Sequence, residues 1–420
     1  MTEASRMTGE RLVWQRPEQL LQPDALETVL SRSSLCWPHC PKGSEAISSR
    51  GRNLRGRVVG VRQEPLKGGV SGAHLERLLV ELAIKGPTGV RRDTLPLIFK
   101  RIKPDQSWLM RSSGDTRCRE AQLWRHGLLA DAPRALCVPV LAAAYDEDTG
   151  EAALLLADVT RWLGTLEDCF APAPPGQLRL YLDHLARLHA HYWQDARLDA
   201  ARFALATVEQ ASLMLAPAAI QAQLATGDAH PYLPVSQAGW EAFFTYGPAE
   251  ALGKVQRVFD APAAFLADAA SVPSTLLHGD AWPPNMGSLP GERGIGGRYG
   301  GYPGSRTILI DWALATAGPA SFDPFWLLFA WRTVDTRLAL LYYRERLVLH
   351  LARRGLDIGA AQWRLLVDLA AARTVLTCGE TMGQEIRFAR TAARRARAIE
   401  ALAWWVNWAA RVIERRGWDQ

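Results

Sequence analysis

The chain contains 420 residues, of which 48% are hydrophobic and 22% are charged, and its formal net charge is +6. This composition is typical of a globular protein with two or three domains and a sizeable core. The mild basic excess is scattered and accompanies no recognised nucleic-acid-binding motif, which favours a solvated surface over a nucleic-acid partner.

The sequence shows no apolar leader at its N-terminus and no run of about 18 uncharged apolar residues. We therefore expect a protein that is neither exported nor membrane-spanning. The six cysteines are dispersed, which suits a reducing cytoplasm. The pair Cys36 and Cys40 lacks CxxC spacing and a second ligand pair, so it is interpreted as structural or incidental.

Residues 1–55 are interpreted as an extension that carries a helix from Pro23 to Ser31 but no recognisable chemistry. Two strand-like segments follow, at 57–63 and 74–84, and the turn between them predicts a β-hairpin. The turn contains Gly68, Gly69, Ser71 and Gly72. Glycines let backbone N–H groups approach a phosphate closely, so this turn is a candidate cover for a nucleotide; a merely flexible turn is the alternative.

The next strand spans 95–102 and contains Lys100 near its end. A lysine in this position ordinarily points to solvent, but the chain uses only 6 lysines against 43 arginines. A compact ammonium held against nucleotide phosphates would explain the choice of Lys here. A helix is predicted from Asp115 to Leu129, with Glu120 one turn inside it.

A second hairpin is predicted from strands at 138–145 and 151–157, and a buried helix follows at 178–192. The spacing of the histidines in this helix does not suit two metal ligands on one face. His189 is therefore interpreted as a core or loop-supporting residue. The last 90 residues are predicted to be helical, and their tryptophans are interpreted as core residues in preference to a pocket wall.

The central feature is a pair of loops that each follow an apolar strand. The first presents Asp280 after a tight turn and Asn285 five residues later, and the second presents Asp311 at the end of 308–310. Phosphoryl transfer needs this kind of arrangement, because one carboxylate orients the accepting hydroxyl while an amide oxygen and another carboxylate hold Mg²⁺. The glycine-rich connection at 291–304 does not complete GxGxxG and is interpreted as a mobile loop.

The segments HGDAWPPN and ILIDW resemble the catalytic and metal loops of aminoglycoside-phosphotransferase-like kinases, and the Trp of the first is similar to that of the choline-kinase and ecdysteroid-kinase-like branch. The resemblance implies an α+β, two-lobed protein kinase-like fold. Its smaller lobe, 56–157, would be a mainly antiparallel sheet with one helix that binds ATP. Its larger lobe, 158–420, would be mainly helical and carry both loops and the acceptor site.

The resemblance also implies residue roles. Asp280 would accept the hydroxyl proton, and Asn285 and Asp311 would bind Mg²⁺. Lys100 would bind the phosphates. Glu120 would pair with Lys100, although it can also be read as a first-turn acid favoured by the helix dipole. Leu156 and Asp158 would belong to the hinge that holds adenine.

Asp323 is predicted to be a helix N-cap and, from the resemblance, an anchor for the catalytic loop. The short interval between Asp311 and Asp323 disfavours a peptide substrate and favours a small hydroxylated molecule, such as an antibiotic, amino alcohol, sugar or sterol-like metabolite. A neutral or partly apolar acceptor is preferred. The rival interpretations are a catalytically inactive kinase-like module that binds nucleotide or ligand, and a basic nucleic-acid binder. The sequence does not indicate an oligomeric state.

Overall fold

The computed structural model describes residues 12–32, 56–66, 72–86, 89–198, 200–228, 230–290, 304–331 and 335–420. The predictions for Gly68, Gly69 and Ser71, for the pair Cys36 and Cys40, and for nearly all of the glycine-rich connection lie outside the described residues.

Three sheets are present in the described part of the chain. The largest has six strands in the order β1-β6-β7-β4-β3-β2, antiparallel except for the parallel pair β1 and β6. The smaller sheets are β5-β10-β9 and β11-β8. The strands are β1 (Val13–Trp14), β2 (Arg57–Pro65), β3 (His74–Gly86), β4 (Gly89–Ile102), β5 (Leu136–Cys137), β6 (Val140–Tyr145), β7 (Ala152–Ala157), β8 (Ser274–Leu277), β9 (Met286–Leu289), β10 (Arg306–Leu309) and β11 (Thr316–Pro319).

Helices dominate the chain after the large sheet, which confirms the predicted α+β fold with a small sheet lobe and a larger helical lobe. They are α1 (Pro23–Arg32), α2 (Trp108–Ser112), α3 (Arg119–Arg125), α4 (Pro175–His191), α5 (Ala200–Phe203), α6 (Val208–Leu213), α7 (Pro217–Ala225), α8 (Tyr232–Tyr246), α9 (Ala249–Asp260), α10 (Ala263–Ser271), α11 (Phe322–Ala330), α12 (Thr336–Ala352), α13 (Ala360–Arg387) and α14 (Ala392–Arg416). Among the described residues, no helix combines the length and apolarity that a bilayer crossing requires.

The large sheet confirms both predicted hairpins and places Lys100 on an inner strand. β4 lies between β3 and β7, and Lys100 is paired with Leu75 on one side and Leu154 on the other. Alternate residues of β4, such as Leu97 and Phe99, are buried in the sheet-lobe core. Because both neighbours of β4 are hydrogen-bonded to it, the position of Lys100 is held firmly.

The N-terminal segment contributes to the large sheet. Val13 and Trp14 pair in parallel with Ala143 and Ala144 of β6. The predicted helix in this segment is confirmed as α1, and its apolar residues join the core cluster of the sheet lobe. A two-residue strand has too little pattern to be found in the sequence, since its stability comes from the partner strand.

The helix predicted from Asp115 to Leu129 is shorter than expected at both ends: α3 ends at Arg125, and its predicted first turn is replaced by a loop. The Asp115 carboxylate accepts the backbone N–H groups of Arg117 and Arg119 at 3.1 and 2.7 Å. Cys118 has φ of 52°, in the left-handed region, so α3 begins only at Arg119. Side-chain capping of the loop has therefore displaced the helix start by four residues.

Candidate active site

A buried ion-pair cluster connects the large sheet to the loop after β10. Lys100 Nζ lies 2.7 Å from Glu120 Oε2 on α3 and 2.8 Å from Asp311 Oδ1. The side chains of Lys100 and Glu120 are 10% and 1% exposed, whereas that of Asp311 is 33% exposed. Glu120 therefore holds the ammonium from the protein interior, and Asp311 is the member of the cluster that solvent reaches.

The cluster keeps Lys100 and Asp311 charged. Burial alone lowers the pKa of Lys100, but the carboxylates of Asp311 and Glu120 outweigh it and hold the pKa of Lys100 well above its ordinary value. Burial raises the pKa of Asp311, and the ammonium of Lys100 more than reverses that effect. Both groups are consequently ionised at neutral pH.

The loop after β8 brings Asp280 and Asn285 side by side. A 3₁₀ turn at Pro283–Asn285 folds the chain back on itself. The Asn285 amide donates hydrogen bonds to Asp280 Oδ2 at 2.8 Å and to the Asp280 carbonyl at 3.2 Å. Because the amide nitrogen is occupied by Asp280, the amide oxygen is the atom of Asn285 suited to a cation.

His278 joins the two loops, a role that the sequence analysis did not assign. Its Nε2 donates to the carbonyl of Ile310 at 2.9 Å, and its Nδ1 accepts the Asp280 backbone N–H at 3.3 Å. Burial lowers the pKa of His278, which suits a neutral imidazole with one donor and one acceptor. The sequence offered one signal for this role, because His278 lies only two residues before Asp280.

Asp323 anchors the Asp280 loop from below. Its Oδ2 accepts the His278 backbone N–H at 2.8 Å, and its Oδ1 accepts that of Gly279 at 2.9 Å. His189 Nε2 lies 3.1 Å from the same Oδ2, in agreement with the loop-supporting interpretation of this histidine. The prediction of an N-cap was wrong: Ser321 is the N-cap of α11, and the Asp323 carboxylate turns away from its own helix toward the loop.

The carboxyl group of Asp280 has an unusual affinity for protons. Removal from water and the nearby carboxylate of Asp311 raise the pKa of Asp280 to about 7. A general base is most effective when its pKa lies near the working pH. Asp280 therefore has the properties of an acid–base group, unlike an ordinary surface aspartate.

Comparison with known proteins finds matches among solved structures only. No protein-family model matches the chain, and no curated protein matches it in sequence. The search of solved structures finds the microcompartment-associated aminopropanol kinase, with a TM-score of 0.45, 15% identity, and coverage of 85% of this chain and 94% of that one. It also finds choline kinase LicA from Streptococcus pneumoniae, with a TM-score of 0.37, 14% identity, and coverage of 82% of this chain and 93% of that one. A third match is macrolide 2'-phosphotransferase MphH from Brachybacterium faecium, with a TM-score of 0.36, 14% identity, and coverage of 81% of this chain and 92% of that one.

These structural neighbours are small-molecule kinases and phosphotransferases. They are proteins of the class that the two loop motifs resemble.

Arg119 is a second residue that the sequence analysis did not single out. It is 1% exposed, and its guanidinium donates to the carbonyls of Ala204 and Ala313. Ala313 lies two residues after Asp311, whose own φ of 62° falls in the left-handed region that non-glycine residues seldom adopt. Arg119 thus fixes the backbone that holds Asp311 in this conformation.

The remaining described residues of the predicted nucleotide site lie on β7, just after β7 and just before β3. Leu156 is buried on β7. The Asp158 carboxylate accepts from Arg77 of β3 at 2.9 Å and from the Thr160 hydroxyl at 2.6 Å, so its side chain ties the segment after β7 to β3. Gly72 has φ of +84°, and an added Cβ would lie 2.3 Å from the Gln106 carbonyl oxygen. Backbone conformation and packing therefore explain a glycine at this position without a role in nucleotide binding.

Gly279 provides a direct test of the loop geometry. Its φ is +82°, and an added Cβ would lie 2.0 Å from the Leu314 carbonyl oxygen. Gly279→Ala is therefore expected to cost about 3 kcal/mol in the free energy of unfolding, from left-handed strain plus overpacking. Gly355 is the matched control, because its φ is +69° with nothing within 4 Å of the added Cβ. Gly355→Ala should cost about 1 kcal/mol. Equal shifts for the two variants in urea denaturation would contradict the close approach of Gly279 to Leu314.

Proposed function

We propose that this chain is an ATP- and Mg²⁺-dependent phosphotransferase that moves the γ-phosphoryl group to a hydroxyl of a small molecule. The observation that carries the proposal is the convergence of two groups of side chains from separate segments. Lys100, Glu120 and Asp311 form one cluster, while Asp280 and Asn285 form the other in an adjoining loop. His278 links the two loops by its bond to Ile310.

Asp280 would serve as the proton acceptor. The acceptor hydroxyl oxygen forms a bond to the γ-phosphorus, the bond from that phosphorus to the β–γ bridging oxygen breaks, and the hydroxyl proton passes to an Asp280 carboxylate oxygen. The raised pKa of Asp280 favours that transfer. The Asn285 amide and the Asp323-anchored backbone fix the carboxylate, so little reorganisation is needed when the hydroxyl arrives.

The residues present fit Mg²⁺. Asp311 offers a partly exposed carboxylate and Asn285 an amide oxygen, and both are hard oxygen donors. Within the described ranges, no three His, Cys, Asp or Glu side chains converge on a metal site. A two-residue donor set is what Mg²⁺ commonly uses, since phosphates and water complete its coordination. When bound, Mg²⁺ would supply charge neutralisation on the phosphates.

Lys100 would bind the nucleotide phosphates while Glu120 keeps the ammonium in place. Lys100 is shared between Glu120 and Asp311. Asp311 would hold the metal, and Lys100 would bind the phosphates while it keeps its ion pair with Glu120. The glycine-rich turn would cover the phosphates, and the backbone around Leu156 and Asp158 would receive the adenine.

A small acceptor is supported by the short connection between Asp311 and Asp323. It consists of a 3₁₀ turn at Trp312–Leu314 and strand β11, which pairs with β8. No activation segment or peptide platform is therefore built between the metal loop and the anchor of the catalytic loop. A neutral or partly apolar hydroxylated compound remains our preferred acceptor class.

The test is a screen of hydroxylated metabolites and antibiotics with the full chain and Mg·ATP, measured as phosphate incorporation into the acceptor. We expect at least one acceptor to be phosphorylated and the reaction to stop when Mg²⁺ is chelated. Nucleotide binding without turnover on any acceptor would indicate the rival, an inactive kinase-like binding module. Failure to bind nucleotide would reject both interpretations.

A further inference from the structure

A groove of about 350 Å³ lies on the surface of the helical lobe, lined by residues of α12, α13 and α14. Trp363, Trp404 and Trp408 line it together with Leu340 and Leu341. Trp404 is 48% exposed and Leu341 is 43% exposed. The prediction that the tryptophans of this region are core residues is therefore wrong for Trp404.

The groove is held open by packing beneath it. Trp408 stacks on Trp405 with ring centroids 5.6 Å apart, and it contacts Phe325 of α11 at 5.4 Å. Trp405 is 4% exposed and Phe325 is fully buried. A ligand that enters a preformed site loses less affinity to the ordering of side chains. The volume also falls within the range of about 300–1,000 Å³ that small-molecule sites occupy.

The charged side chains that line the groove have one sign. Arg337 and Arg411 line it and are exposed, and no acidic side chain lines it. Among the described residues, neither arginine forms an ion pair with a carboxylate. Two guanidinium groups beside tryptophan and leucine side chains complement a molecule with an apolar body and an anionic end, because a carboxylate pairs well with the planar guanidinium.

The groove is separate from the proposed catalytic groups. Lys100, Asp280, Asn285 and Asp311 do not line it. Occupation of the groove and phosphoryl transfer can therefore be tested independently of each other.

We infer that this groove binds a small amphipathic anion from solution, with an alkyl body against the tryptophans and a single carboxylate at Arg337 and Arg411. The aromatic and leucine walls account for the affinity of the alkyl body. The arginines select the sign of the head group and reject a cationic one.

The binding test uses the full chain and sodium decanoate below the concentration at which decanoate self-associates, followed by tryptophan fluorescence and calorimetry. Saturable binding of one decanoate per chain is expected. Octanoate should bind about 16-fold more weakly, because each buried methylene contributes about four-fold. 1-Decanol should bind at least about ten-fold more weakly for lack of a charge-assisted hydrogen bond. Decyltrimethylammonium should not compete.

Two variants on one helix locate the site. Arg411→Gln is expected to weaken decanoate binding about ten-fold and to leave 1-decanol binding unchanged. Arg397 is an exposed arginine of the same helix outside the groove, so Arg397→Gln should bind decanoate like the unmodified chain. Melting curves of both variants check that each is folded.

Several results would overturn the inference. These are an absence of saturable decanoate binding, equal affinities for decanoate and 1-decanol, or equal effects of the two arginine variants. Concentration-dependent dimerisation that Arg411→Gln weakens and decanoate does not disrupt would assign the groove to a second copy of the chain instead. Asp280→Asn should retain decanoate binding, so a failure of the proposed kinase activity would be seen separately.

Discussion

Asp280→Asn is expected to reduce phosphoryl transfer about 10²–10⁴-fold, the usual loss when a positioned base is removed. The asparagine cannot accept the hydroxyl proton, but it can still accept the Asn285 amide hydrogen bond, so the loop should keep its conformation. Nucleotide affinity, measured by calorimetry with Mg·ATP, should stay within a few-fold of the unmodified chain.

Asp357→Asn is the control for this substitution. Asp357 is exposed in the segment after α12 and lies outside the proposed site. Its variant should show unaltered turnover. If Asp280→Asn retained most of its activity, Asp280 would be removed from the proposed role. If it lost nucleotide binding instead, the residue would be a determinant of the nucleotide site rather than a base.

Asp280→Asn is also expected to change how the free energy of unfolding depends on pH. The pKa of Asp280 is about 7 in the folded chain, above its ordinary value of 3.8, so the folded state holds this proton more tightly. The favourable contribution of Asp280 is therefore present at low pH and is lost as the pH rises from about 4 through about 7. Without Mg²⁺, Asp280→Asn should gain stability relative to the unmodified chain across this window, by up to about 4 kcal/mol at pH 8. A difference in unfolding free energy that does not vary with pH would contradict the raised pKa.

Asp323→Asn is expected to destabilise the chain by about 3 kcal/mol and also to lower turnover. In the native protein, both carboxylate oxygens accept backbone N–H groups of the catalytic loop, and Asp323 is 1% exposed. An amide would direct an NH₂ group at one of those donors and remove the charge beside His189, leaving buried groups unsatisfied. Urea denaturation and steady-state kinetics measure the two effects.

Tyr343→Phe is the control for Asp323→Asn, because it removes a buried hydrogen bond without removing a loop anchor. The Tyr343 hydroxyl donates to the Ala320 carbonyl at 2.9 Å and lies 2.6 Å from His189 Nδ1. Its removal disturbs the same buried network without touching His278 or Gly279. A cost of about 1 kcal/mol and nearly unchanged turnover are expected. Should both variants lose turnover equally, Asp323 would have no special role in positioning the loop.

Local sequence patterns were sufficient for much of the sheet lobe. The alternation of apolar and polar residues at 57–63 and 74–84, with glycines between them, specified the hairpin formed by β2 and β3. The hairpin of β6 and β7 was specified in the same way. The positions of Asp280, Asn285 and Asp311 at the ends of apolar strands were also readable, because a strand of period 2 and a turn residue are signals contained within a few neighbouring residues.

Features that depend on distant partners were not readable. The pairing of β1 with β6 and the exposure of Trp404 each depend on residues far along the chain or on the surface left by helix packing. The residues around Asp323 predicted only an N-cap, because Asp before Pro is a common helix start, and its role as an anchor of the catalytic loop came from the resemblance. Its buried carboxylate accepts hydrogen bonds from loop N–H groups 44 and 45 residues earlier.

The chemistry of the candidate site also divides into features set by local sequence and features set by contacts between distant segments. The sequence alone determined which polar side chains stand at strand ends and which chemistry such residues suit. Only the tertiary structure decided that Lys100 contacts Glu120, 20 residues away, and Asp311, 211 residues away. It also decided that His278 joins the two loops and that Asp323 anchors the Asp280 loop. The physical reason is that side-chain type and strand periodicity are local properties, whereas burial and the approach of charges depend on how distant segments pack.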